Sequence, residues 1–429
     1  MDRNKIIKQH YWKLSIVSIG IALVCSLLAY TLKHSTEWLE VSVFEWISDT
    51  NTWFFLLFPS VGITAIYFLR KWLFHNRKNK GLTEIFKTLD DRKDHLPLFK
   101  IPSHYINGFL TVVFGGSTGV EVSTVVATAS IGNAVYEKGG VAKMYKRELI
   151  CAGVTAGVAV LFGNPLAGWL FAMEVVARKF NKTLFLASTA AAITSGIFVY
   201  FFDNRPFFSY AVQDWYTSAL PFFILLSLLC GLLSIYFTLL VTRIKLFFSQ
   251  INNNFIRVNL GALIVGGLIF CFPLLYGDSY HGLKGVVDTA ITGGQLSLGI
   301  LFLVVILKPL AASLTLGAGG DGGVFAPSIV AGALLGLGFA VCCNTFFDTN
   351  LILINFILAG AAATLSASIY APFTALFLAC GLAANGFELF LPILIACFVA
   401  KYTAQKILPY NAYTYDGFLA KRRVTEMAD

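Results

Sequence analysis

Two knots of small residues interrupt otherwise apolar sequence: GGSTGV, from Gly115 to Val120, and GGVFAP, from Gly322 to Pro327. Glycines let a backbone turn tightly and expose its N–H groups. If each knot leads into a helix, the helix N-terminus adds roughly half a positive charge. Two such ends facing one another would hold an anion without any fixed cation. A tight packing loop with no ligand is the competing reading. Glu121 stands three residues after Thr118, so on a helix the two share nearly one face. Its carboxylate could act on whatever passes the knot, or could cap a helix start, where negative charge is favoured. Asp321 precedes the second knot, and an acid beside an anion path is unhelpful. It is expected to accept hydrogen bonds from loop N–H groups.

The elements that must hold these knots are membrane helices. Of the 429 residues, 57% are hydrophobic and only 13% are charged, and the mean hydropathy is +0.73. A soluble chain of this size needs about a quarter charged residues. Spans long enough for a hydrocarbon core run over Leu14–Thr31, Trp53–Leu69, Leu184–Phe202, Ala219–Leu240, Leu260–Leu275 and Phe387–Ile407. Between them, apolar stretches broken by Gly, Pro, Ser and Thr read as short, tilted or discontinuous helices, tolerable where they are buried in protein or line a polar path. No cleavable signal peptide is expected, because Leu14–Thr31 is too long and lacks a small-residue cleavage site. The flank before it carries Arg3, Lys5, Lys8 and Lys13, whereas the expected loop His34–Thr50 carries Glu37, Glu40, Glu45 and Asp49 and no Lys or Arg. The positive-inside bias puts the N-terminus in the cytoplasm. The net charge of +9 comes from residues at segment ends, which speaks against a nucleic-acid partner. The eight cysteines lie almost entirely in apolar runs and read as small buried hydrophobes; the six histidines suggest no metal site. No apolar segment carries the Ser/His, paired-Asp or HExxH set of a membrane hydrolase, so no enzymatic function is expected.

The two knots begin 207 residues apart, and so do Pro165 of AGVTAGVAVLFGNPLAG (Ala152–Gly168) and Pro372 of AGAAATLSASIYAPFTA (Ala359–Ala375). A shared offset implies an internal duplication, with halves of about 14–205 and 215–410. In membrane chains this pattern places a transport site where interrupted segments of the two halves meet.

At these residues the chain resembles the CLC family of chloride channels and proton-coupled chloride exchangers. The family motif GREGP aligns with Gly116-Ser117-Thr118-Gly119-Val120, and GxFxP is matched in full by Gly323-Val324-Phe325-Ala326-Pro327. NAPLAG resembles GNPLAGWLFAMEVV, SIRAPLTG resembles SIYAPFTA, and GSGIPEI is matched poorly by NKGLTEI, which includes Asn79, Lys80, Gly81, Leu82 and Thr83. The resemblance implies an all-α membrane protein with the CLC-type fold: two inverted halves of broken and tilted helices, one pore per subunit, and a homodimer in the cell membrane. It implies a prokaryotic-type member with no cofactor and no C-terminal CBS domains. Residues 1–13 form a cytoplasmic segment, 14–410 the membrane domain, and 411–429 the pore-tyrosine segment and a cytoplasmic tail. The anion-binding residues carried over are Lys80, Gly81, Val324, Phe325 and Tyr415, with N–H donors at 324–325; Tyr410 and Tyr413 could take the part of Tyr415 in another register. Lys80 aligns with the serine that coordinates the central anion, or simply ends the basic run RKNK at the membrane surface.

Two departures set the expected function. The gating glutamate of GREGP is replaced by Thr118, whose hydroxyl is expected to donate to a passing anion. The proton-carrying second glutamate after NAPLAG is replaced by Val175, with Glu174 at the first. The expectation is an anion channel or uncoupled transporter, chloride being the anion that the resemblance suggests among chloride, nitrate and fluoride. The alternative is an ion-coupled exchanger that uses Glu121 or Lys80.

Overall fold

The computed structural model describes residues 3–75, 77, 79, 81–91, 94–139 and 144–419, with the side chains of residues 3–7 excepted. Lys80 lies outside the described residues. Among these residues there are sixteen α-helices and no strand. Helices α1 (Arg3–Thr50), α2 (Phe54–Trp72) and α3 (Leu82–Asp90) lead into α4 (Lys100–Val113), α5 (Glu121–Lys138) and α6 (Lys146–Leu161). The short α7 (Pro165–Phe171) continues as a π-helical turn over Ala172–Ala177 before α8 (Lys182–Phe202). After a linker come α9 (Leu220–Ser249), α10 (Asn254–Cys271), α11 (Tyr280–Ile291), α12 (Leu298–Ala318), α13 (Phe325–Phe347), α14 (Leu353–Ile369), α15 (Pro372–Cys380) and α16 (Phe390–Ile407).

Among the described residues, eight helical stretches are long and apolar enough to cross a membrane: the six expected spans, and also α12 and α13. The expected loop His34–Thr50 is instead the second part of α1. Its acids are spaced so that Glu40 turns inward and is buried, while Glu37 and Glu45 stay toward solvent. A helix that is apolar all round belongs inside a bundle. For α13, 89% of its most apolar window is buried, against 33% for α8 and α10. It therefore sits at the centre and they face lipid. Helices α13 and α14 touch backbone to backbone: a Cβ on Gly360 would lie 2.2 Å from the Gly332 carbonyl oxygen, and one on Gly332 would lie 2.3 Å from that of Gly360. Small residues permit this approach where lipid supplies no hydrophobic drive. The cysteines are all free, and most are buried, but Cys271 is exposed and Cys342 half-exposed at helix ends.

The repeat is visible in the element order. Pro165 and Pro372 each open a short half-helix from its first turn, where a missing N–H costs nothing. These helices keep the 207-residue offset, as do the starts of α6 and α14. At the knots, however, the register is 204: α5 starts at Glu121 and α13 at Phe325, and the backbones pair at Gly119 and Gly323. The connection that leads out of the first knot and into α6 is shorter by the difference.

Candidate functional site

The knots pair with each other. Gly119 and Gly323 form an isolated antiparallel bridge. Beside it the Thr118 hydroxyl donates to the Gly323 carbonyl at 2.8 Å and accepts from the Gly323 N–H at 3.0 Å. Both glycines and Thr118 are buried. The expectation that this hydroxyl serves a passing anion is therefore corrected, because the bridge uses both its donor and its acceptor capacity. The pairing draws the N-termini of α5 and α13 to one place. By helix geometry the N–H groups of Glu121, Val122 and Ser123 and of Phe325 and Ala326 have no partner within their own helices.

Each half also braces the knot of the other, in the same 204-residue register. The Ser117 N–H donates to Thr315 Oγ1 at 3.1 Å, and the Asp321 N–H donates to Thr111 Oγ1 at 2.9 Å. From α4, His104 Nδ1 meets Asp321 Oδ1 at 3.1 Å; from the corresponding place on α12, Lys308 Nζ donates to Ser117 Oγ at 2.9 Å. Both basic side chains are fully buried. Asp321 takes two further partners, Asn79 Nδ2 at 2.9 Å and Arg70 Nη2 at 3.8 Å. Its carboxylate thus pairs with cationic and amide side chains rather than with loop N–H groups.

A third helix end approaches from NKGLTEI. Gly81 precedes α3 at φ +61°, a conformation that glycine adopts without cost. A Cβ there would come within 3.4 Å of Val122, and one on Gly323 would come within 2.1 Å of the same side chain. Leu82 is buried and Thr83 half-buried on α3, and Glu84 of that helix forms an ion pair with the buried Lys100. Phe325 points inward, 1% exposed, with its ring edge-on to Phe171 and 6.1 Å from Tyr413. Ala326 and Pro327 are buried in the first turn of α13.

The tyrosine at this point is Tyr413, not Tyr415. The Val324 N–H donates to Tyr413 Oη at 3.0 Å, so this N–H, expected to face an anion, already has a partner. Tyr415 packs against Tyr410 with the rings tilted by 52° and their centroids 4.9 Å apart. The two-residue shift arises because Asn411 Oδ1 accepts the N–H groups of Tyr413 and Thr414 and turns the chain there. Replacing Tyr413 with Phe leaves a buried N–H unpaired, a loss of about 1–3 kcal/mol. Thermal unfolding in detergent should register that loss, with anion flux about tenfold lower, whereas Tyr415→Phe should leave both unchanged.

The floor of a cavity of about 810 Å³ is formed by Val120 and Glu121, and its walls include Lys33, Glu40, Asp278 and Tyr280. Glu121 opens α5 but folds its carboxylate back across the knot, so that a Cβ on Gly119 would lie 2.1 Å from Oε2. It is 3% exposed; Oε1 accepts from the Tyr280 hydroxyl at 2.9 Å, and the buried Oε2 has no partner. A carboxylate serving only as a cap would be satisfied by the N–H groups of its own helix end.

Glu174 has a different task. Its oxygens accept from Thr374 N–H at 2.9 Å, Thr374 Oγ1 at 2.8 Å and Phe373 N–H at 3.4 Å, which caps α15 from the π-turn after α7. Val175 beside it is buried. Truncating Glu174 to Ala should lower stability by about 1–2 kcal/mol, the size of a lost cap, and leave the proton-to-anion ratio of transport unaltered. Urea or thermal titration beside a liposome assay separates the two.

Of the residues the sequence singled out, Asn79, Gly81, Thr118, Glu121, Val324 and Phe325 come together, and Tyr415, Glu174 and Val175 stand apart. Lys308, Asp278, Tyr280 and Glu40 were missed. Lys308 had a signal, since it is the lone charge within the apolar run LGILFLVVILKPLAASL. The others had none, because their positions depend on the loop at residues 277–279.

The family model described as "Voltage gated chloride channel" matches residues 61–405. The chain belongs to that family. Similar proteins include the H(+)/Cl(-) exchange transporter ClcA of Yersinia pestis, 26% identical over 404 residues that cover 91% of this chain and 84% of that one. ClcA of Salmonella newport (strain SL254) is 26% identical over 407 residues, covering 91% and 85%. Among solved structures, a slow cyanobacterial Cl-/H+ antiporter superposes with a TM-score of 0.82 at 21% identity, over 97% of this chain and 99% of that one. A CLC-type fluoride/proton antiporter superposes with a TM-score of 0.79 at 21% identity, over 96% and 98%. The fold is thus the CLC fold, with its two inverted halves, and this family member is a multi-pass membrane protein.

Proposed function

We propose that the chain is a passive anion conductor of the CLC type, with chloride the first anion to test. The observation that carries this reading is the pairing of the two knots, which sets the N-termini of α5 and α13 side by side, with Val120 and Glu121 at the start of α5 lining the 810 Å³ cavity. Relatives that exchange protons support anion passage as the shared property. Proton coupling needs titratable groups along the path, and here Thr118 is held by Gly323, Val175 is apolar, and Glu174 caps α15. Anion-binding roles fall to the first-turn N–H groups of α5 and α13 and to Gly81, Phe325 and Tyr413. Two copies assemble in the membrane, each with its own path. The basic flank before residue 14 supports a cytoplasmic N-terminus, and with it cytoplasmic termini and a cavity that opens on the outer side.

A second reading, proton-linked exchange, is favoured by one observation: the buried, half-partnered carboxylate of Glu121 at the cavity floor. Reconstitution into sealed liposomes distinguishes the two. The expected result is chloride efflux with no net proton uptake when a chloride gradient is imposed without a pH gradient. Uphill proton movement in a fixed ratio to chloride would establish exchange instead.

A further inference from the structure

The two cross-braces are equivalent in position but not in charge. His104 meets a carboxylate, Asp321, so any positive charge on it is matched on contact. Lys308 is 0% exposed and donates to three neutral oxygens: Ser117 Oγ at 2.9 Å, Gly277 O at 2.9 Å and Ser279 Oγ at 2.7 Å. Its hydrogen bonds are complete and its charge is not matched by any of them. A buried unmatched charge is costly and persists only where other charges compensate it through space. The acids gathered there are Asp278, which lies between the two loop residues that Lys308 holds, Glu40, which accepts the Asp278 N–H, and Glu121, which accepts the Tyr280 hydroxyl. Glu40, from α1, accepts the Asp278 N–H at 3.0 Å, and Asp278 Oδ1 accepts the Tyr280 N–H at 2.8 Å. The loop at residues 277–279 is therefore held between a carboxylate of α1 and the ammonium of α12. All three acids line the cavity that leads to the knot of α5. Without a cation, this wall would repel the anion the site is built to admit. In GREGP the residue aligned with Ser117 is an arginine; here the first half supplies a hydroxyl at that place and the second half reaches across with Lys308.

We propose that Lys308 is a specificity-determining residue: a cation fixed behind the first knot that offsets Glu40, Asp278 and Glu121 and so lets anions enter. This inference rests on the passive-conduction reading. The other charged groups at the cavity, Lys33, Arg205 and Lys284 and the acids Glu37 and Asp203, are more exposed than Lys308, Glu40 and Glu121.

The test is chloride efflux from liposomes at neutral pH, read as the half-saturating chloride concentration and the maximal rate. Lys308→Met should raise the former about tenfold, the size expected for one unit charge roughly 10 Å away in a partly screened interior. Asp278→Asn keeps the Oδ1 acceptor for Tyr280 and should lower it several-fold. The double variant, whose net charge equals that of the unmodified protein, should return to within about threefold of it. An unchanged value in Lys308→Met, or a double variant as impaired as Lys308→Met alone, overturns the proposal. If Lys308→Met does not elute as a folded protein, Asp278→Asn decides, and no fall in the half-saturating concentration overturns it. Absence of chloride flux in the unmodified protein overturns the conduction reading and this inference with it; flux with Lys308→Met indistinguishable overturns this inference alone.

Discussion

Replacing Glu121 with glutamine should raise chloride flux at neutral pH about tenfold and weaken its dependence on pH. The carboxylate lies across Gly119 at the cavity floor, on the path proposed for the anion. A unit negative charge within several ångströms of that route opposes entry by more than 1.4 kcal/mol at an effective dielectric constant of about 20, and glutamine has the same shape without the charge. In the unmodified protein, protonation removes the same charge, so flux should rise as the pH falls. The groups that share the environment of Glu121 are Tyr280, which donates to it, and Asp278 and Lys308, which act on it through space. A capping role gives the opposite pattern: Glu121→Gln would weaken the start of α5 by about 0.5–1 kcal/mol and leave flux unchanged. Efflux measured across a pH series, together with thermal unfolding, separates the two.

Replacing Thr118 with valine should abolish transport and destabilise the fold by about 2–4 kcal/mol. Valine matches threonine in shape but leaves the N–H and the carbonyl of Gly323 without their partner. Each buried group so abandoned costs about 1–3 kcal/mol. Serine keeps the hydroxyl and should restore most of both quantities. Wild-type flux in Thr118→Val would show that the bridge between the knots is dispensable and that the path lies elsewhere.

These two positions mark the boundary between what was legible in the sequence and what was not. Composition and span length identify a membrane protein because every residue in lipid must be apolar or satisfied, and that constraint acts on each segment separately. The repeat is legible for the same reason, since Pro165 and Pro372 must each begin a half-helix. GxFxP makes a helix start at Phe325 legible, because its glycine and proline favour a turn and a first helical turn within five residues, and α13 begins there. The direction of a side chain at the knots is not a local property. Thr118 could have faced an anion or the other half, and the choice rests on Gly323, 205 residues away. Glu174 and Glu121 are both acids at helical ends. One is consumed by α15 and the other is left with an unpartnered oxygen, because α15 and α11 arrive from different parts of the chain. Tyr413 replaced Tyr415 because one asparagine turned the chain two residues earlier. By itself the sequence determined the solvent, six of the apolar spans and the duplication, all of which depend on the residues' own polarity and backbone preferences. Only the tertiary structure decided which polar groups remain free at the site, since a buried donor or acceptor is used or spared according to what packs against it.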